Sequence, residues 1–414
     1  MIPRPDLVDD QSPPDLEVYQ LTTESDVPSC HIYMEAQIFT PDSKRLIVHR
    51  SANPHGSDKN DPQHQYLLCD LDNNGELSPL TDELGVTGPS VSPDGQWLYY
   101  FHDQTELNAG RLTLKRVRLD GTDREALIVL DTPAADAIRQ ISHMYPLSSI
   151  SSDGRRIATA GFLGDGRRQP SPFGMLVFDL GQNEARLVLD GHSWCNTHPQ
   201  YCRSTDPDAS HDILVQENHG NVTGPDGERG DRFIAGPGCD IHVIRDDGSN
   251  FRDLPWGRDN DEFCEGHQCW RGRSTVAITS ALQTTANRHT VIEGAAGLHD
   301  GHVGIGTRNT QRNDLARSFQ HPDFHHFATD IEGRRFITDY TPDHPGTARI
   351  WAAEFGDPLK DPLTQWRYLL DTRTLAESPQ HAHPFLSPDG RMAFFNARES
   401  GNLQAYMVKN IEPA

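Results

Sequence analysis

A chain of 414 residues with 35% hydrophobic residues, 34 glycines and 29 prolines suits short strands joined by turns better than long buried helices. Its 60 acidic against 37 basic residues leave a formal net charge of −23, a field that repels nucleic acid and anionic lipid and excludes both as partners. No apolar run is long enough to span a membrane, residues 1–10 lack the pattern of a secretory signal, and seven scattered cysteines, an odd number, read as reduced thiols. The expectation is a cytoplasmic protein.

In chain order, the first signal is a turn of the type Ser-Pro-Asp-Gly followed by a short apolar strand. It appears at Thr40-Pro41-Asp42-Ser43, Ser92-Pro93-Asp94-Gly95, Ser151-Ser152-Asp153-Gly154 and Ser387-Pro388-Asp389-Gly390. Degenerate copies follow Arg203, Trp270 and Thr329, making seven copies spaced 52 to 66 residues apart. Proline presets φ for the first turn position, and Asp-Gly supplies the side-chain hydrogen bond and the left-handed backbone that close it. Seven near-regular copies with no linker between them predict an all-β, seven-bladed β-propeller forming a single domain over residues 1–414. A β-sandwich, or two separate all-β domains, accounts less well for that regularity. Residues 404–408 are expected to pair with residues 18–21 and close the ring.

The repeats exceed a compact blade, so polar loops are expected near residues 54–65, 217–239 and 286–312, where a rigid scaffold tends to carry function. The chain also holds 21 histidines, many just before the turn that opens a repeat. His198, His267, His325, His326, His381 and His383 occupy such places, on the innermost strand or its entrance, and are expected to converge on the axis. His381-Ala382-His383 has strand spacing, which turns both rings to one side. Neutral imidazoles suit Mn, Zn, Fe or Ni, and three of them leave room for water and substrate. A competing site is Cys264, His267 and Cys269, with Cys195 and Cys202 around His198; its spacing lacks the paired Cys-x-x-Cys of structural zinc. Ordinary apolar packing is the alternative for these cysteines.

At these residues the sequence resembles the oligogalacturonate lyases, seven-bladed propellers that degrade pectin in the bacterial cytoplasm. The blocks that carry the likeness are His198-Pro199-Gln200-Tyr201, the segment from Glu262 through His267 to Trp270, His326 before its Asp-Ile-Glu-Gly turn, and His381-Ala382-His383-Pro384. The resemblance implies a divalent metal, manganese in the family, held by His326, His381 and His383. It implies His267 as catalytic base and an acidic oligosaccharide as substrate, cleaved by β-elimination. His198, Tyr201 and Trp270 are expected to contact that substrate, with blade packing the alternative for Tyr201 and Trp270. His192, His219 and His242 are expected to be structural or solvent-facing. Two positions depart from the family pattern. Its glutamine ligand is Ser378 here, with Gln380 nearby, and its catalytic arginine is Asp240, leaving Arg232 or Arg229 of the long insert as substitutes. Lyase or hydrolase action on another acidic glycan, and a non-catalytic binding propeller, are the alternatives.

Overall fold

The structure, a computed structural model, describes residues 1–53, 56–227, 238–257, 262–283, 288–296, 312–315, 324–340, 346–357, 360–374 and 382–412. Arg229, Arg232, Ser378, Gln380 and His381 lie outside the described residues, as do residues 54–55, 228–237 and most of 286–312. Among the described residues, apart from two three-residue 3-10 turns, the regular elements are antiparallel strands, and within each sheet except the one that joins the two chain ends the strands follow chain order. No described helix is long and apolar enough to cross a membrane.

The recurring turns form as their residues dictate. The leading hydroxyl donates to the aspartate two residues on, at 2.6 Å in Thr40–Asp42, Ser151–Asp153 and Ser387–Asp389. Gly95, Gly154 and Gly390 then take positive φ (68°, 71° and 71°), and Ser43 takes the same conformation at 60° where its copy lacks glycine. After each turn the chain enters a hairpin strand, as in Arg45–Arg50, Trp97–Glu106, Arg156–Phe162 and Ala393–Ala397.

Four of the sheets have four strands. One has eight strands, but its halves meet at the single pair Cys239–Cys264. Another combines the last three strands with Glu17–Gln20, whose Val18 and Gln20 face Val408 and Tyr406. The expected closure of the ring between chain ends is therefore present. Divided at the Cys239–Cys264 seam, the described strands form seven sheets of four or five strands, beside the small two-stranded pair Ala52–Asn53 and Gly56–Ser57.

Contacts between successive turns run in a circuit. Gly95 packs on Pro41, Gly154 on Pro93, Gly272 on Gly333 and Gly390 on Asp330. Ser152 donates to the Ser204 carbonyl, Cys202 Sγ to the Ser274 carbonyl at 3.5 Å, and the Asp389 amide to Ser43 Oγ at 3.1 Å. The last of these joins the final turn to the first, so the turns line one mouth of a closed ring. Between blades lie apolar layers; the largest joins Val18, Leu46, Tyr66, Phe394 and Tyr406 across the closure. Burying such side chains, each worth about 1.5–3 kcal/mol, holds neighbouring blades together.

The innermost strands are irregular where function is expected. Register shifts interrupt pairing between Met144 and Ser148, between Cys264 and Gln268, and between Phe324 and Phe327. Tyr145, His267, His325 and His326 all fall inside these interruptions. A β-bulge re-aims the side chains it contains, here at the axial strand of three blades. In the first blade the strand Ser29–His31 breaks into a turn closed by the Ala36 amide on the Tyr33 carbonyl at 2.9 Å.

Candidate active site

His326 sits in its bulge with its backbone amide donating to Asp339 Oδ1 at 2.7 Å and its ring Nδ1 3.2 Å from Asp339 Oδ2. A carboxylate on Nδ1 fixes the imidazole tautomer so that Nε2 carries the lone pair, the arrangement that supports metal-bound histidine. Burial pushes the Asp339 carboxyl up to about 8, against amide donors from His326 and His383. The His326 ring lies 4.4 Å from that of His267 and 4.3 Å from that of His383, centroid to centroid. Imidazoles from three blades, 116 residues apart at the extremes, thus share one space.

His383 reaches this space without the strand geometry expected for it. Residues 382–384 are not in a strand, pairing begins at Phe385, and the His383 backbone is left-handed at φ 46°. The alternation argument for His381 and His383 therefore does not apply; the bent backbone directs the ring. The expected alternation of His325 and His326 along a regular strand is likewise replaced by the bulge.

His198 lies beside the same cluster. Its Nδ1 is 2.7 Å from Glu35 Oε2, and its ring packs on Tyr33 and Tyr145, each 5.4 Å away. Tyr33 also touches His383 at 4.8 Å and His326 at 6.3 Å. Burial raises the Glu35 carboxyl above its ordinary range, partly opposed by His198, and burial lifts the Tyr33 phenol further still. Nearby, the Gln268 side-chain amide is buried with neither its nitrogen nor its oxygen hydrogen-bonded.

Tyr201 and Trp270 are corrections. Tyr201 is 1% exposed, packs between blades and places its hydroxyl 3.3 Å from Asp246. Trp270 is 3% exposed, and its indole donates to the Gln200 carbonyl at 2.9 Å. Both are consumed by packing and present no face to a substrate. Asp240, at the position of the family's arginine, faces His219 Nε2 at 3.0 Å. The thiol-based site does not form: all seven cysteines are free and buried, and Cys195, Cys202 and Cys269 belong to three different apolar clusters. Burial pushes the Cys202 thiol up to about 11, away from the thiolate that zinc requires.

Tyr33, Glu35 and Asp339 were not singled out by the sequence. The signal available for the first two was ionisable residues within an apolar segment just before the first Thr-Pro-Asp turn. Asp339 was hidden inside an ordinary hairpin strand.

Among the described residues no group of three His, Cys, Asp or Glu side chains is arranged to hold a metal ion. The donor chemistry nevertheless suits a divalent cation: two adjacent buried imidazoles, one anchored by a carboxylate, with the third expected ligand, His381, outside the described residues.

Fold and site together define an all-β propeller with a histidine cluster gathered from several blades. No family model and no curated protein matches the chain. Among solved structures it is similar to an oligogalacturonate lyase in complex with manganese, with 17% identity and a TM-score of 0.64, over 97% of this chain and 96% of that one. It is also similar to an oligogalacturonate lyase from Vibrio parahaemolyticus, at 15% identity and a TM-score of 0.66, over 96% and 95%. A prolyl endopeptidase structure matches at 12% identity and a TM-score of 0.52, but only 51% of that longer chain is covered. At these identities the likeness establishes the fold.

Proposed function

We propose that the chain is a metal-dependent lyase that cleaves short uronic-acid oligosaccharides, oligogalacturonate-like in kind, by β-elimination. The observation that carries this reading is the meeting of His267, His326 and His383 within 4.4 Å ring spacings. His326 and His383, with His381, would hold a divalent metal, and manganese is the ion in one of the similar solved lyases. When bound to the substrate carboxylate, such an ion acts as a Lewis acid that spreads enolate-like charge.

His267, partly exposed beside that pair, would accept the proton next to the carboxylate. The carbon–hydrogen electron pair becomes a carbon–carbon double bond, the glycosidic oxygen leaves with the pair of the broken bond and takes a proton from water to become a hydroxyl, and an unsaturated uronide is left. His198, locked by Glu35, offers its remaining nitrogen to a sugar hydroxyl. Arg232 is proposed to support the carboxylate through paired hydrogen bonds. A second reading, lyase or hydrolase action on a different acidic glycan, is favoured by Asp240, a carboxylate where the lyases carry arginine.

The test is ultraviolet absorbance from an unsaturated product on trigalacturonate, with and without chelator. Chelator-sensitive product supports the reading. No product from trigalacturonate, with product from another uronide, shifts it to the second.

A further inference from the structure

At the mouth lined by the recurring turns lies a cavity of about 220 Å³, bounded by Gln37, Phe39, Ile150, Arg203, Arg273 and Phe385 among others. It lies on the turn side of the histidines, with Phe385 following His383 and Arg203 following His198 toward the turns, and Met34, Ala36 and Ala328 in its wall. Most of its wall is apolar, with Met34, Ile38, Val91 and Leu386 completing it.

Arg203 is the exception. It is partly buried, and no ion pair or hydrogen bond engages its guanidinium among the described residues; the ionisable groups whose charge acts on it are Asp330 and the Cys202 and Cys269 thiols. The carboxylates that ring this mouth are already committed. Asp42, Asp153 and Asp389 accept from their own turn hydroxyls, and Asp330 accepts the amides of Arg334 and Arg335 at 2.8 Å. Arg273, more exposed at the rim, has a loose 3.5 Å pair with Glu332. In a chain of net charge −23, a guanidinium at the wall of an apolar cavity with no ion-pair partner among the described residues is conspicuous.

We propose that this cavity is a second ligand site, which takes a small monocarboxylate with an apolar body: the carboxylate on Arg203 through paired hydrogen bonds, the body against Phe39, Ile38 and Phe385. Of the two arginines on the wall, Arg273 already pairs with Glu332, and the one remaining guanidinium matches a single charge on a hydrophobic frame better than a multiply charged phosphate. The site is independent of the histidine cluster and stands whether or not the chain is a lyase.

Sodium benzoate is the probe, followed by titration calorimetry on the full chain. Saturable binding is expected, with the neutral isostere benzamide and the apolar-poor sodium acetate each at least about tenfold weaker, the equivalent of about 1.4 kcal/mol. Arg203→Gln is expected to lose benzoate binding by a similar factor, while His326→Ala leaves it unchanged, separating this site from the other. Should Arg203→Gln not fold, labelling of the unaltered protein by phenylglyoxal replaces it, with benzoate expected to slow modification of Arg203. Absence of saturable binding, equal binding of benzamide, loss of binding in His326→Ala, or unslowed labelling of Arg203 would each overturn the proposal.

Discussion

His198 and His383, from two different blades, share one backbone state: each directly precedes a proline, each has a left-handed φ (45° and 46°), and each turns its ring onto Tyr33. Non-glycine residues pay on the order of 1–3 kcal/mol for such a conformation, and it persists only where packing enforces it. Tyr33 is the piece that enforces it on both sides. Tyr33→Ala should therefore destabilise the protein by about 3–5 kcal/mol, as for other buried aromatic truncations, and Tyr33→Phe by far less. Chemical denaturation of the two variants checks this; equal losses would show that the hydroxyl, not the ring, is what matters.

The ring closure makes a separate prediction. Met407 is fully buried on the last strand, which pairs with Glu17–Gln20. Met407→Ala should cost about 2–5 kcal/mol. Limited proteolysis of this variant should also cut first near the chain ends, because the strand it loosens joins the two termini.

A pH dependence follows from the group around His242. Its Nδ1 meets Asp253 at 2.8 Å and its Nε2 meets Glu217 at 3.3 Å, while His219 lies 3.8 Å from Glu217 and 3.0 Å from Asp240. Burial alone would lower the His242 pKa, but the two carboxylates outweigh it and raise the value to about 9. Burial alone would raise Glu217, but hydrogen bonds from His242 and Ser193 lower it to about 2. A raised histidine stabilises fully below its unfolded value of about 6.5, and that contribution is lost as pH climbs through 9. A depressed glutamate stabilises above its unfolded value of about 4.5, and that contribution is lost as pH falls toward 2. The group thus contributes most between pH 4.5 and 6.5. His242→Gln should flatten the alkaline loss of stability between pH 7 and 10, read from denaturation midpoints; an unchanged slope would remove His242 as its source.

The thiols give a chemical count. All seven cysteines are buried and free, so a thiol reagent should label the native protein slowly and the denatured protein at seven sites. Fewer than seven in denaturant would reveal a disulfide.

The fold was legible because its punctuation is local: proline, aspartate and glycine at fixed offsets make a turn whatever surrounds them, and seven turns imply repeated hairpins. Pairing of residues 18–21 with 404–408 could be guessed from two apolar strands at opposite ends of the chain. The meeting of His326 with His383 was legible for the same reason, since equivalent repeat positions face one axis. What periodicity could not reveal was the bulges. At Cys264–Gln268 and Phe324–Phe327 the pairing slips, so counting alternate faces fails at His267 and His326. Trp270 lies just beyond one such bulge and Tyr201 just beyond the left-handed His198, and their apolar bulk was better spent between blades than toward the axis. Tyr33 and Glu35 escaped because the first blade breaks into a turn after Ser29–His31, where no strand periodicity applies.

The most direct measurement is manganese content by elemental analysis of protein purified without chelator and dialysed against manganese, for the natural sequence and for His383→Ala. The account predicts close to one ion per chain in the first and little in the second, with trigalacturonate cleavage falling in step. Protein that stays free of divalent metal, or that forms unsaturated product equally well without it, would contradict the claim that His326 and His383 serve a metal.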